Sequence, residues 1–417
     1  MRKILHSDLN NFYASVECLL NPSLREFPVV VCGRVEDRHG IVLAKNMIAK
    51  NAGVKTGMVL YEARNLCPNL KCVEAHHDLY LKYSRAVKAI YQEYTDRVES
   101  FGIDEAWLDI TDCKKHGGDA FLIANEIRER IKAEIGLTVS IGVSFNKVFA
   151  KLGSDLKKPD AITVISDENY KEIVWPLPVG DLLYVGRATK HKLNDLAIKT
   201  IGDLARFDQK LLISKFGKVG AMLSRYARGE DSDTVKTKSE LAAIKSIGNS
   251  LTYYRDIKTD QDAFALITLL AESVSTRMSM YGYKMARTVH IVVITNELKY
   301  INRMKKMQPT CLAEDIALAA FKLFKANFSW GRSLVRGLGV SVSDFCEEEQ
   351  LSIDSYGDKV EKKKALQNTI ENLRSRYGRN IINKAVIFAD KRMQNLDILG
   401  THYGNIGKQV KKGIAEE

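Results

Sequence analysis

Ser100-Phe101-Gly102-Ile103-Asp104-Glu105-Ala106-Trp107-Leu108-Asp109 places two adjacent carboxylates in a turn between two apolar-patterned segments. This predicts a hairpin over 97–111, turning around Gly102-Ile103-Asp104-Glu105. Nearer the start, Ile4-Leu5-His6-Ser7-Asp8 predicts a strand over 3–8 that ends on Asp8. Carboxylates brought together repel, so a third gains nothing beside the pair unless a cation lies among them. Hard oxygen ligands of this type suit Mg²⁺, which keeps waters and takes one or two carboxylates plus substrate phosphates. Two such ions about 4 Å apart stabilise the attacking and leaving oxygens of a phosphoryl transfer. Acidic pairs in turns are also common as plain solvated loops. Spacing alone leaves both readings of Asp8, Asp104 and Glu105 open.

Outward from this hairpin, strands and helices alternate. Helices are predicted over Phe12–Leu20, Asp78–Thr95 and Ala120–Ile135, and strands over Pro28–Cys32 and Thr138–Val143. Val42–Ala52 begins strand-like and becomes helical. This alternation up to about residue 165 indicates an α/β or α+β unit. Pro176 and Pro178 mark a boundary, followed by short helical pieces broken by glycines. The polar run Glu230–Glu240 marks a second boundary. Beyond it, helices over Asp262–Met278 and Ala313–Ala326 flank a strand over Val289–Ile294. From Glu347 the chain is polar, with one helical pattern near Lys359–Tyr377.

The chain has 417 residues, which predicts two to four domains. No apolar run is long enough for a membrane span, and the opening residues do not read as a signal peptide. Seven scattered cysteines, none in a Cys-x-x-Cys pair, predict free buried thiols in a reducing cytoplasm. The formal net charge of +12 favours a polyanionic partner. Residues 236–344 carry sixteen Lys+Arg against nine Asp+Glu, more than half of that surplus.

Three long segments carry a resemblance. Ile4-Leu5-His6-Ser7-Asp8-Leu9-Asn10-Asn11-Phe12-Tyr13-Ala14-Ser15-Val16-Glu17 resembles the opening motif of Y-family DNA polymerases. Ser100 to Asp109 resembles their second catalytic motif. Ser140-Ile141-Gly142-Val143-Ser144-Phe145-Asn146-Lys147-Val148-Phe149-Ala150-Lys151-Leu152, with Lys157-Lys158-Pro159, is similar to a third. The resemblance implies a multidomain α+β fold, a right-handed translesion polymerase of the DNA polymerase IV (DinB) kind. The palm would be 1–18 and 75–165, small fingers 19–74, a helix-hairpin-helix thumb 166–235 and an α/β little finger 240–345. A tail would follow over 346–417. It implies low-fidelity addition of dNTPs to a primer 3′-hydroxyl, without proofreading, by a monomeric cytoplasmic enzyme. Asp8 and Asp104 would bridge two Mg²⁺ ions (Mn²⁺ as a substitute), Glu105 would complete the catalytic one and the Leu9 carbonyl the other.

The same resemblance implies that Tyr13 is the steric gate against a 2′-hydroxyl, that Leu43 roofs the nascent base pair and that Lys158 contacts the triphosphate. Lys147 and Lys151, at i and i+4, read equally well as phosphate ligands or as surface lysines. Two phosphate-holding positions of the fingers, a tyrosine and an arginine in the family, read Met47 and Lys50 here. Met47 cannot donate a hydrogen bond, and Lys50 lacks the bidentate fork. Val185-Gly186-Arg187-Ala188-Thr189-Lys190 resembles a DNA-holding hairpin turn, with Gly186, Thr189 and Lys190 facing a phosphate and Tyr184 where the family has a glycine. Gln350-Leu351-Ser352-Ile353-Asp354 resembles the bacterial sliding-clamp peptide but ends in Asp354 where an aromatic is usual. Two other readings stand beside this one. A palm-type nucleotide cyclase would leave Tyr13 and the basic 236–344 region without a role. A non-catalytic DNA-binding relative would have no use for all three carboxylates.

Overall fold

A computed structural model describes residues 2–33, 40–240, 242–331, 333–347, 356–377 and 381–394. Residues 2–33 and 41–240 form one unit, and 242–394 a second. The strands are β1 (Ile4–Leu9), β2 (Val29–Cys32), β3 (Val42–Lys45), β4 (Lys71–Glu74), β5 (Val98–Ser100), β6 (Glu105–Asp109), β7 (Val139–Ser144), β8 (Ile162–Ile165), β9 (Ser246–Ile257), β10 (Met285–Thr295), β11 (Tyr300–Thr310) and β12 (Val335–Cys346).

The first unit is built around a sheet of order β5-β6-β1-β7-β8, antiparallel except for the β7–β8 pair. Every residue of β1 is buried, because both faces of this central strand are covered. Alternation along a strand decides which face each side chain takes. Leu5 and Leu9 join a core with Tyr80, Val87, Ile123 and Ile127 from helices His77–Gln92 and Ala120–Arg130. On the same face, Tyr91 Oη donates to Ser7 Oγ at 2.8 Å. Ile4 packs on the opposite face with Trp107 and Ala150.

The helix Lys147–Leu156 covers that second face, and two glycines let it come close. A Cβ on Gly142, which pairs with His6 across the sheet, would lie 1.9 Å from the Ala150 carbonyl oxygen. From the helix side, a Cβ on Gly153 would lie 3.2 Å from the Gly142 backbone. Asn146 caps the helix by accepting from Phe149 N–H at 2.7 Å, which starts it immediately after β7. Val148, Phe149 and Leu152 of the same helix enter a third core, made with the short helices between Tyr170 and Ala227. One helix thus ties the sheet to the helical region.

Strands β3-β2-β4 form a small separate sheet with its own core of Val30, Val42, Ala49 and Leu60. The strand-then-helix reading of 42–52 holds: Asn46 ends β3 and caps the helix Met47–Asn51. The helix predicted over 78–95 runs from His77 to Gln92, and the one over 120–135 closes with a π-helical turn over Ile131–Ile135. The polar run Glu230–Glu240, read as a boundary, is stitched to the first sheet. Arg2 donates to the carbonyls of Asp231 and Asp233, Lys236 N–H donates to Glu99, and Val235 is buried against Ile4 and Trp107. All seven cysteines are free, but only Cys32 and Cys67 are buried, against the expectation that all would be.

The second unit has an antiparallel sheet of order β11-β10-β12-β9, packed on helices Asp260–Met280 and Ala313–Asn327. Its edge strand β11 is mostly exposed and carries Arg303, Lys305 and Lys306. Helix Tyr356–Tyr377 docks on this unit through Gln367, which donates to Ser275 Oγ and accepts from Ala313 N–H, and through the Arg374–Glu272 ion pair. Ile387 and Met393 complete the same core. Gln350, Leu351 and Ile353 lie outside the described residues. Among the described residues no helix is long and apolar enough to cross a membrane.

Candidate active site

The sheet register brings the acidic residues together. Asp8 and Glu105 are direct cross-strand partners, so both side chains leave on the face covered by the helix Lys147–Leu156. Leu9 N–H donates to the Asp104 carbonyl at 3.1 Å, which fixes the turn against the end of β1. The turn is held from the other face as well. Ser84 Oγ donates to the Ile103 carbonyl, and Lys88 Nζ donates to the Gly102 carbonyl at 3.0 Å.

Two lysines stand among the carboxylates. Lys151 Nζ lies 2.7 Å from Glu105, 3.4 Å from Asp8 and 3.3 Å from Asp155. Lys158 Nζ lies 2.7 Å from Asp8 and 2.8 Å from Asp155. Lys147, read beside Lys151, has a different place. It is buried, paired with Glu99 at 2.8 Å and lying over the Trp107 ring, so it is part of the packing and not of the acidic cluster. Beneath Glu105 lies His6, fully buried, with Nδ1 2.8 Å from Ser154 Oγ and Nε2 3.3 Å from Glu105. Ser154 Oγ donates to the Lys151 carbonyl at 2.7 Å and lies beside His6 Nδ1, which leaves Nε2 turned to Glu105. Glu105 Oε2 thus faces both the His6 Nε2 and the Lys151 ammonium.

These surroundings drive two adjacent carboxyls in opposite directions. Burial, then the charges of Asp8 and Glu105, push Asp104 up to about 6. Burial also acts upward on Glu105, but His6 and Lys151 outweigh it and hold that carboxyl down to about 2. Burial depresses Lys88 to about 8 despite the opposing charge of Asp104. Neither His6 nor Lys88 stands out in the sequence. A histidine in a strand and a lysine on a helix carry no signal until the sheet register is known.

No three His, Cys, Asp or Glu side chains among the described residues stand close enough to share one ion as they are oriented. Asp8 and Glu105 are held by lysines instead. The donor set nonetheless fits hard divalent cations, since Asp8 and Glu105 are paired at the end of β1 with Asp104 next to them, and all three offer carboxylate oxygens.

Tyr13, at the start of helix Phe12–Leu20, stacks on Tyr80 with ring centroids 4.1 Å apart. Tyr80 Oη in turn donates to the buried Glu17 at 2.5 Å. Burial, then the charge of Asp104, raises the Tyr13 hydroxyl. Leu43 lies partly exposed on β3, and Lys50 is exposed on the helix Met47–Asn51. Burial, then the Lys50 charge, lowers Lys45 on β3.

In the helical region Gly186 caps the helix Arg187–Asp195, with Thr189 in its first turn partly exposed and Lys190 exposed. Nothing lies within 4 Å of a Cβ on Gly186. Tyr184, where the family has glycine, has a φ of +69°, the left-handed backbone that glycine adopts without strain. A cavity of about 200 Å³ lined by Leu312, Leu366, Gln367 and Ile370 belongs to the second unit and contains none of these carboxylates.

A family model described as the impB/mucB/samB family matches residues 7–155, and the model of that family's C-terminal domain matches 244–355. A model described as a DNA polymerase-iota thumb domain matches 180–231. A DNA polymerase IV of Acetivibrio thermocellus is 48% identical over 399 residues, covering 95% of this chain and 100% of the relative. A DNA polymerase IV of Moorella thermoacetica is 38% identical over 385 residues, covering 92% and 95%. Among solved structures, the Y-family DNA polymerase chimera Dbh-Dpo4(243-245)-Dbh shares the fold with a TM-score of 0.74 at 24% identity, covering 83% of this chain and 100% of that one. The chain belongs to the impB/mucB/samB family, the Y-family DNA polymerases, and is a template-directed DNA polymerase of the translesion class.

Proposed function

We propose that Asp8, Asp104, Glu105 and the Leu9 carbonyl hold the divalent cations of nucleotide addition, two Mg²⁺ with Mn²⁺ as a substitute. Y-family polymerases work with divalent ions, and the single observation that carries the assignment is the Asp8–Glu105 cross-strand pair with Asp104 next to it. Bound there, such a pair of ions stabilises the attacking 3′-hydroxyl and the leaving pyrophosphate oxygen. The chain's own residues do the rest. Lys88 and Ser84 clamp the turn so that Asp104 is positioned before substrate arrives. Lys158, next to Asp8, turns to the triphosphate once the substrate brings its own negative charge. Tyr13, pinned by Tyr80 and Glu17, presents its ring as the gate against a 2′-hydroxyl. Leu43 and Lys50 lie over the base pair and near the phosphates.

Primer-template DNA and a dNTP are the substrates. Palm (1–18 and 75–165), fingers (19–74), thumb (166–235) and little finger (240–345) divide the work. Gly186, Thr189 and Lys190 hold one backbone phosphate at a helix N-terminus, and exposed basic β11 supplies a second grip. The segment Gln350, Leu351 and Ile353 engages the sliding clamp. Single-nucleotide extension on undamaged and lesion-bearing templates, run beside Asp104→Ala, tests the central assignment. Extension that survives Asp104→Ala at parental rate removes it.

A further inference from the structure

The carboxylate cluster is not merely flanked by lysines. It is closed by them. Lys151, Asp155, Lys158 and Asp8 form a ring of alternating charge, each contact between 2.7 and 3.4 Å, with Glu105 attached to Lys151. Both ammonium groups sit where a cation would best neutralise the acids. Both also touch Asp155, which is about half exposed and lies outside the carboxylate set of the reaction.

We propose that Lys151 and Lys158 are resident surrogate cations, which occupy the carboxylates between turnovers and must be displaced before divalent ions can bind. This rests on the assignment of Asp8 and Glu105 as metal ligands. Displacement has somewhere to go. Asp155 keeps Lys151 through their i, i+4 pair on one helix, and the incoming triphosphate offers Lys158 a new anion. A free divalent ion therefore has to oust two paired lysines unaided. A metal–nucleotide brings the anion that receives one of them. Metal binding is thereby conditional on nucleotide, and the carboxylates are not left to trap adventitious cations. Lys151 is a positioning residue in this scheme, acting through Asp8 and Glu105.

The test is Mn²⁺ binding to the full chain without nucleotide, read from the free-Mn²⁺ electron paramagnetic resonance signal. Removing a positive charge 2.7 Å from Glu105 and 3.4 Å from Asp8 should tighten Mn²⁺ binding by roughly tenfold or more in Lys151→Gln, even after solvent screening. Lys158→Gln, nearer the surface, should tighten it by a smaller factor, and Lys151→Arg should bind as the parent does. Adding dNTP should shrink the difference between Lys158→Gln and the parent. Lys151→Gln or Lys158→Gln binding Mn²⁺ no more tightly than the parent overturns the proposal. If Lys151→Gln does not fold, Lys158→Gln decides alone. Asp8→Asn separates the two levels: loss of Mn²⁺ binding there with no gain in the lysine variants refutes only the surrogate role. Unchanged binding in Asp8→Asn refutes the ligand assignment and this proposal with it.

Discussion

Asp104→Asn should make the metal-free protein more stable while abolishing synthesis. The carboxyl is raised from 3.8 to about 6, first by burial and then by Asp8 and Glu105. A rise of that size corresponds to about 3 kcal/mol of unfavourable charge in the folded state at neutral pH. Part of that is recovered, because the Asp104 charge helps Lys88 stay protonated, so a net gain of about 1–2 kcal/mol is expected. The direction follows from linkage. A carboxyl raised on folding binds its proton more tightly in the native state, so its contribution is fully favourable below the unfolded value of 3.8 and is lost as pH rises through 6. The variant should therefore exceed the parent above pH 6, and the difference should vanish towards pH 4. Thermal unfolding in EDTA at pH 7.5 should show a rise of about 2–8 °C, using about 2–4 °C per kcal/mol for a unit of this size. Excess Mg²⁺ should raise the parent and leave the variant nearly unmoved. A variant less stable than the parent in EDTA, or one whose advantage persists at pH 4, refutes the electrostatic account of this turn.

Tyr13→Ala should raise ribonucleotide incorporation strongly, and an unchanged rNTP/dNTP ratio in primer extension removes the gate. Tyr80→Phe, which cuts the link to Glu17 but keeps the stack, should relax the same selectivity less; a loss equal to that of Tyr13→Ala would show that the hydrogen bond, not the ring, sets the gate. Gly142→Ala should cost about 3 kcal/mol or more in denaturant unfolding, because its Cβ would meet the Ala150 carbonyl at 1.9 Å; a cost below about 1 kcal/mol means the helix can move away from the sheet freely. Binding to primer-template should fall steeply with salt, and charge-neutralising Arg303, Lys305 and Lys306 together should flatten the slope; an unaltered slope takes β11 out of the interface.

Much of the first unit was readable because its signals are local. The helix Phe12–Leu20 begins and ends as its pattern predicts, and the hairpin around Asp104 and Glu105 turns where Gly102 places it. What escaped the sequence depends on register. His6 alternates onto the Glu105 face only because β1 pairs with β6 in one register, and a slip of one residue would turn it towards Tyr91. Lys147 and Lys151 share a helix face, yet one turn of helix separates a lysine buried on Glu99 and Trp107 from one in the acidic cluster. Strand β11 was missed for a different reason. As an exposed edge its sequence, Tyr300 to Thr310, is polar and basic and lacks the apolar alternation that a half-buried strand displays.

The opposite displacements of Asp104 and Glu105 bear on how this cluster can fold at all. Neighbouring carboxyls in similar burial ought to move together, yet one is raised to about 6 and the other lowered to about 2. The difference lies in the partners. Glu105 leaves the sheet towards the helix Lys147–Leu156 and receives an ammonium, whereas Asp104 sits in the turn, where Lys88 bonds to backbone carbonyls and not to its carboxylate. The chain thus neutralises two of its three acids with its own lysines and leaves the third under strain from its neighbours. That third residue gains most from an incoming cation, because its charge has the least compensation to lose. A fourth lysine salt-bridged to Asp104 would give a more stable protein and a weaker metal site.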